Sequence, residues 1–131
     1  MDIIRRNTDY ALRAMAHLAK NYGGESISTR IISEREDISY QLACKLMQKM
    51  NDAGLVISTM GPKGGFTLSK DPSQINLLEI IQAVQGPLSV NKCLAEDDKC
   101  PRQDICPLTG KMEELQNYIV NFLSDATLGD I

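Results

Sequence analysis

Three of the four cysteines, Cys93, Cys100 and Cys106, fall within 14 residues, with six and five residues between neighbours, while Cys44 stands apart. This is not the CxxC spacing of a zinc site. Thiolates are soft ligands that stabilise ferric iron, and an irregular loop can wrap three of them around one iron–sulfur cluster without helical constraint. Three thiolates leave one ligand position open. The alternative is a set of free or disulfide-forming thiols, although a reducing compartment favours metal binding by clustered cysteines. A thiol enzyme is disfavoured: no cysteine lies in a CxxC motif or beside a histidine, and no glycine loop has phosphate-binding spacing. Asp9, Arg13 and His17, the only histidine, recur at i, i+4 and i+8 and so share one helical face.

The elements that must hold these residues can be read from periodicity. Ala11, Leu12, Met15, Leu18, Ala19 and Tyr22 predict a first helix from Thr8 to Tyr22, capped by Thr8 or Asn7 and ended by Gly23-Gly24. Ser28 can cap a short second helix bearing Ile31 and Ile32, and Ser39 a third. In the third, Leu42, Ala43, Leu46, Met47, Met50 and Ala53 form an apolar face opposite Gln41, Cys44, Lys45, Gln48 and Lys49. Residues 55–59 and 66–69 flank Gly61-Pro62-Lys63-Gly64-Gly65 as a β-hairpin. After Asp71-Pro72, a helix around Leu77 to Val84 stops at Gly86-Pro87, and the cysteine-bearing stretch 88–106 follows as a loop. From Pro107 onward, Leu108, Met112, Leu115, Ile119, Phe122 and Ala126 lie at gaps of 4, 3, 4, 3 and 4. That heptad seam suits burial against a partner helix, with packing on its own domain as the alternative.

The expected fold is mainly α with a small β-hairpin: a winged helix-turn-helix over residues 1–86, a cysteine loop over 87–106 and a dimerisation helix over 107–131. The 131 residues suffice for one core, and 43% hydrophobic with 24% charged residues exclude disordered and fibrous classes. The N-terminal stretch reads as neither signal peptide nor membrane span, which predicts a cytoplasmic protein. Net charge is −3, but residues 1–70 carry 10 Lys/Arg against 7 Asp/Glu (+3) and residues 71–131 carry 4 against 10 (−6). A phosphate-binding surface therefore belongs to the first half.

In a helix-turn-helix the second helix enters the major groove while the first braces it. That nominates the start of the third helix, Ser39, Tyr40, Gln41, Cys44 and Lys45, for base edges, since Gln pairs with adenine and Lys with guanine. Lys49 suits phosphate, and Lys63 with the bare amides of the wing tip suits the backbone beside the groove.

Four segments resemble one family: Thr8-Asp9-Tyr10-Ala11-Leu12-Arg13, Asp52-Ala53-Gly54-Leu55-Val56, Gly61-Pro62-Lys63-Gly64-Gly65-Phe66-Thr67-Leu68, and Ile75 to Gly86. The chain resembles, nearly end to end, the iron–sulfur regulator family of winged-helix transcription factors that includes the IscR, NsrR, RirA and CymR repressors. The resemblance implies a homodimer held by the C-terminal helix, bound to roughly palindromic promoter DNA and controlled by a 2Fe–2S cluster on Cys93, Cys100 and Cys106. Members differ in the fourth ligand, a His just after the third Cys or an Asp of the partner subunit. No His lies near Cys106, so Asp9, at the family's Thr-Asp position, becomes the candidate; the bland role for Asp9 is to favour a helix N-terminus. Some members carry no cluster and answer to a protein partner or to thiol oxidation. Two positions depart from the pattern: Met60, where relatives commonly place an Arg that contacts DNA, and Asp37, where relatives often have Gly in the turn.

Overall fold

Two serines start the central helix pair. The Ser28 Oγ accepts from the Ile31 amide at 3.3 Å, and the Ser39 Oγ accepts from the Leu42 amide at 3.1 Å. Each satisfies a first-turn amide that has no partner within the helix. The computed structural model describes residues 2–90, 94, 101, 102 and 104–131. Among these, helices α1 (Arg6–Lys20), α2 (Thr29–Glu36) and α3 (Tyr40–Asp52) precede strands β1 (Val56–Thr59) and β2 (Gly65–Leu68), then α4 (Leu77–Gln85) and α5 (Thr109–Asp125). Single 3₁₀ turns lie at Pro72–Gln74 and Leu128–Asp130. Asp37, in the turn between α2 and α3, adopts the left-handed conformation (φ 52°, ψ 49°), so the turn survives without glycine.

The strands pair antiparallel, Val56 opposite Leu68 and Thr59 opposite Gly65. Ile27, just before α2, adds a bridge to Phe66 through two backbone hydrogen bonds of 3.0 and 2.9 Å. The wing's glycines answer to this packing. A Cβ on Gly64 would run into the Thr59 carbonyl oxygen, and one on Gly65 into that of Ile27.

One core joins α1, α3, the wing and α4 through Met15, Leu18, Met47, Met50, Ile75 and Ile80. A second cluster, Ile81, Leu88 and Leu123, seats α5 on α4. Asn76 and Glu79 form a reciprocal capping box at the start of α4, each accepting the other's backbone amide.

The helix starts and faces differ from expectation in three places. α1 begins at Arg6, two residues before the expected cap, and no side chain caps it. Thr8 lies inside the helix, fully buried, and its hydroxyl donates to Gln85 Oε1 at 2.7 Å, an acceptor 77 residues away that local pattern cannot reveal. Ala53 is exposed at the C-terminus of α3, where the chain turns away from the core at Gly54. The C-terminal seam divides: Leu108 precedes α5, Ala126 follows it, Ile119 packs on the second cluster, and Phe122 and Leu115 face outward. Past α5 the chain returns to the core, where Leu128 is buried and its amide donates to the Ile75 carbonyl at 2.9 Å.

Candidate nucleic-acid interface and cysteine loop

Helix α3 buries Ala43, Leu46, Met47 and Met50 and turns its other face outward. Tyr40, Gln41 and Lys45 are exposed there, and Cys44 is half-buried. Tyr40 lies one turn before Cys44, and the hydrogen bond between their side chains holds the Tyr40 phenol above its ordinary pKa. The phenol stays neutral at physiological pH and presents a hydroxyl to solvent. Gln48 is turned onto Asp52, with Nε2 donating to Oδ1 at 2.9 Å. Lys49 is half-buried, its ammonium donating to the Val84 carbonyl at 3.1 Å, so it is anchored to α4 rather than freely extended.

Lys63 is exposed at the wing tip, which is closed by the Gly64 amide donating to the Gly61 carbonyl at 2.9 Å. Between the wing and the starts of α2 and α3 runs an open groove of ≈ 430 Å³, bordered by Thr29, Arg30, Tyr40, Thr59 and Met60. Met60 is 90% exposed there, an apolar side chain at the position where the family pattern calls for a cation. The groove adds Thr29 and Arg30 to the polar surface beside α3. Sequence reasoning passed over them because they lie in the bracing helix. The signal was present: a cation just after the Ser28 cap must sit near whatever approaches that helix end.

Asp9 is on the exposed face of α1, 3.7 Å from Arg13 Nε. That nitrogen also lies 3.1 Å from Glu36 of α2, and the guanidinium stacks 5.1 Å from the Tyr10 ring centre. His17, on the same helix, joins Asp9 less closely than its spacing suggested: its Nδ1 meets Arg35 Nη1 at 3.3 Å. Partial burial, reinforced by the charge of Arg35, lowers its pKa from the usual 6.5, with Glu36 opposing.

Cys106 is a half-buried free thiol in the turn leading into α5. Its amide donates to the Arg102 carbonyl at 2.8 Å, and its carbonyl accepts from the Thr109 amide at 3.3 Å. Cys93 and Cys100 lie outside the described residues. Among the described residues no group of three His, Cys, Asp or Glu side chains gathers into a metal site. The donor set fits a cluster in its chemistry: Cys106 is a free thiol, and Asp9 is an exposed carboxylate in a single loose ion pair.

Three helices, a pinned wing and an outward polar face on the second helix of the pair define a winged helix-turn-helix regulator. The comparisons agree. Residues 4–131 match the family described as Rrf2, iron-dependent transcriptional regulator. The HTH-type transcriptional regulators IscR of Cronobacter sakazakii and Escherichia coli are each 33% identical over 122 residues, 93% of this chain and 75% of theirs. CymR, described as the global cysteine regulator of B. subtilis, superposes with a TM-score of 0.80 at 27% identity, covering 99% of this chain and 95% of that one. T. potens IscR gives 0.77 at 26% identity, covering 97% and 83%. An oxidized form of Staphylococcus aureus CymR gives 0.77 at 25% identity, covering 99% and 94%. The chain therefore belongs to the Rrf2 family of DNA-binding transcription regulators, and its relatives are regulators rather than enzymes. Among the described residues no helix is long and apolar enough to cross a membrane.

Proposed function

We propose that the protein is a cytoplasmic homodimeric repressor that binds a roughly palindromic promoter site, with affinity controlled by a 2Fe–2S cluster on Cys93, Cys100 and Cys106. Asp9 of the partner subunit supplies the fourth ligand. Residues 1–86 read DNA, 87–106 hold the cluster and 107–131 join the protomers. When bound, such a cluster supplies sensitivity to iron supply, redox state or nitric oxide.

The observation that carries this reading is the position of Cys106. Its backbone turn feeds directly into α5, so any change in where the thiolate is held acts on the first turn of that helix. α5 is in turn seated on α4 through Leu123, Ile81 and Leu88, and the Val84 carbonyl of α4 holds Lys49 of α3. A continuous set of contacts thus leads from the cysteine loop to the helix that reads bases. At the other end, Arg13 links Asp9 to Glu36 on α2, so a carboxylate engaged as ligand also bears on the bracing helix. The dimer reading is supported by α5, which leaves Leu115, Tyr118 and Phe122 exposed on one side, the last at 64%. Ile3 and Ile4 extend this apolar surface as a groove against Tyr118 and Phe122.

Anaerobically isolated protein is expected to be coloured and to contain iron and acid-labile sulfide. Asp9→Ala should change the absorption spectrum while the three cysteines keep the iron. Colourless protein without iron or sulfide would remove the cluster from the account.

A second reading is favoured by the likeness to CymR over 99% of the chain. In it the regulator carries no cluster and responds to a protein partner or to thiol oxidation. Co-purification of a metabolic enzyme with metal-free protein would select it.

A further inference from the structure

A second cationic surface lies on the other flank of α3, away from the wing. Arg5, Arg6, Lys45 and Lys49 border one pocket of ≈ 350 Å³, with Asn7 and Gln85 completing its polar wall. No acidic residue lines it. Among the described residues the ion pairs are those of Arg13, Lys70 and Lys111, so none of these four cations has a carboxylate within 4.0 Å. Crowding like charges without counter-charge is unfavourable, and a chain of net charge −3 had acidic residues to place there.

The site is also built in place. Gln85, at the end of α4, fixes the turn that carries the two arginines: its Oε1 accepts from the Arg5 amide at 3.1 Å and the Thr8 hydroxyl at 2.7 Å, and its Nε2 donates to the Ile3 carbonyl at 2.8 Å. Thr8 is fully buried, so this clamp is part of the packed structure. The Lys49 ammonium is fixed by Val84 on the same side. Lys45, one turn before Lys49, is exposed, as are both arginines. The wing groove borders Tyr40 at the start of α3, while this pocket borders Lys45 and Lys49 further along it. A helix lying in the major groove has a phosphate strand on either side, and the groove is about 12 Å wide.

We propose that the pocket formed by Arg5, Arg6, Lys45 and Lys49 holds backbone phosphates of the operator on the flank of α3 opposite the wing. The inference rests on the DNA-binding reading and adds a sequence-independent anchor to it. Arg5 and Arg6 supply affinity and register, while Tyr40 and Gln41 read bases.

The test uses the full chain and its Arg5→Gln/Arg6→Gln variant, with Lys20→Gln at the far end of α1 as a charge-matched control. Two duplexes of about 30 base pairs serve as probes, one selected from a random pool by the wild-type protein and one unrelated. Binding is followed by fluorescence anisotropy across a salt series. The double variant is expected to weaken on both duplexes by a similar factor and to flatten the slope of log K against log salt by about one to two, roughly 0.9 per phosphate released. Lys20→Gln should leave the slope unchanged. An unchanged slope in the double variant, with its circular dichroism melt intact, would overturn the proposal, as would a loss confined to the selected duplex. Wild-type protein binding neither duplex at any salt would instead overturn the DNA-binding reading itself.

Discussion

Helices α3 and α5 are both amphipathic, yet they end up in different situations. α3, 13 residues long, buries Ala43, Leu46, Met47 and Met50 in the core of its own chain. α5, 17 residues long, buries only Leu123 and leaves Tyr118 at 73% and Phe122 at 64% exposed. The reading helix is therefore completed within the protomer, whereas the C-terminal helix carries an apolar face its own chain does not cover. An uncovered face of that kind marks an interaction surface. The contrast separates what each helix does: α3 presents polar atoms from a fixed platform, and α5 connects the cysteine loop to whatever covers its outer side.

Four substitutions test this contrast. Met47→Ala removes a fully buried side chain from under the reading helix and is expected to destabilise the protein by about 2–5 kcal/mol in chemical denaturation, because the cavity cannot collapse against neighbouring helices. A loss below about 1 kcal/mol would mean α3 is not the fixed platform described. Phe122→Ala should act elsewhere. Its expected effect is about 2 kcal/mol on self-association, read by sedimentation equilibrium, with little change in the stability of the dissociated protomer. If unfolding of the monomer weakens by that amount instead, the outer face of α5 belongs to the protomer's own core.

Smaller effects follow at the ends of α3 and α1. Ser39→Ala removes the acceptor for the Leu42 amide and should cost about 1 kcal/mol, while Ser39→Gly should cost only a few tenths. Equal losses for the two would place the role of Ser39 outside the cap. His17 gives the weakest signal. Its folded pKa lies below the usual 6.5 through burial and the charge of Arg35, so the unfolded chain binds the proton first. Stability from this group is complete above about 6.5 and declines as the pH falls below it. His17→Gln should flatten the urea midpoint between about pH 7 and 5.5 slightly, since the ring is only partly shielded.

Much of the DNA-reading half is legible from local pattern. The Ser28 and Ser39 caps, the 3.6-residue period of α3 and the glycine turn of the wing each rest on neighbours within a few residues, so sequence spacing reports them directly. The start of α1 was misplaced because Thr8 spends its hydroxyl on Gln85 rather than on its own helix, a contact set by tertiary packing. For the same reason the cationic pocket was invisible: Arg5 and Lys45 are 40 positions apart, and only the packing of α1 against α3 and α4 brings them to one cavity. The C-terminal seam was read as one stripe, but the return of the chain at Leu128 and the docking of Leu123 on Ile81 divide it between two faces. For the cysteines, spacing nominated the chemistry and geometry places Cys106 at the entrance to α5.

The account turns on whether the cysteine loop governs what α3 does. The most direct measurement is the affinity of anaerobically purified protein for its selected duplex, compared at one salt concentration with the Cys93→Ala/Cys100→Ala/Cys106→Ala variant. A coupling of about 1–3 kcal/mol between loop and reading helix predicts a difference of roughly 5- to 150-fold in affinity. Identical binding by the two proteins would contradict the account.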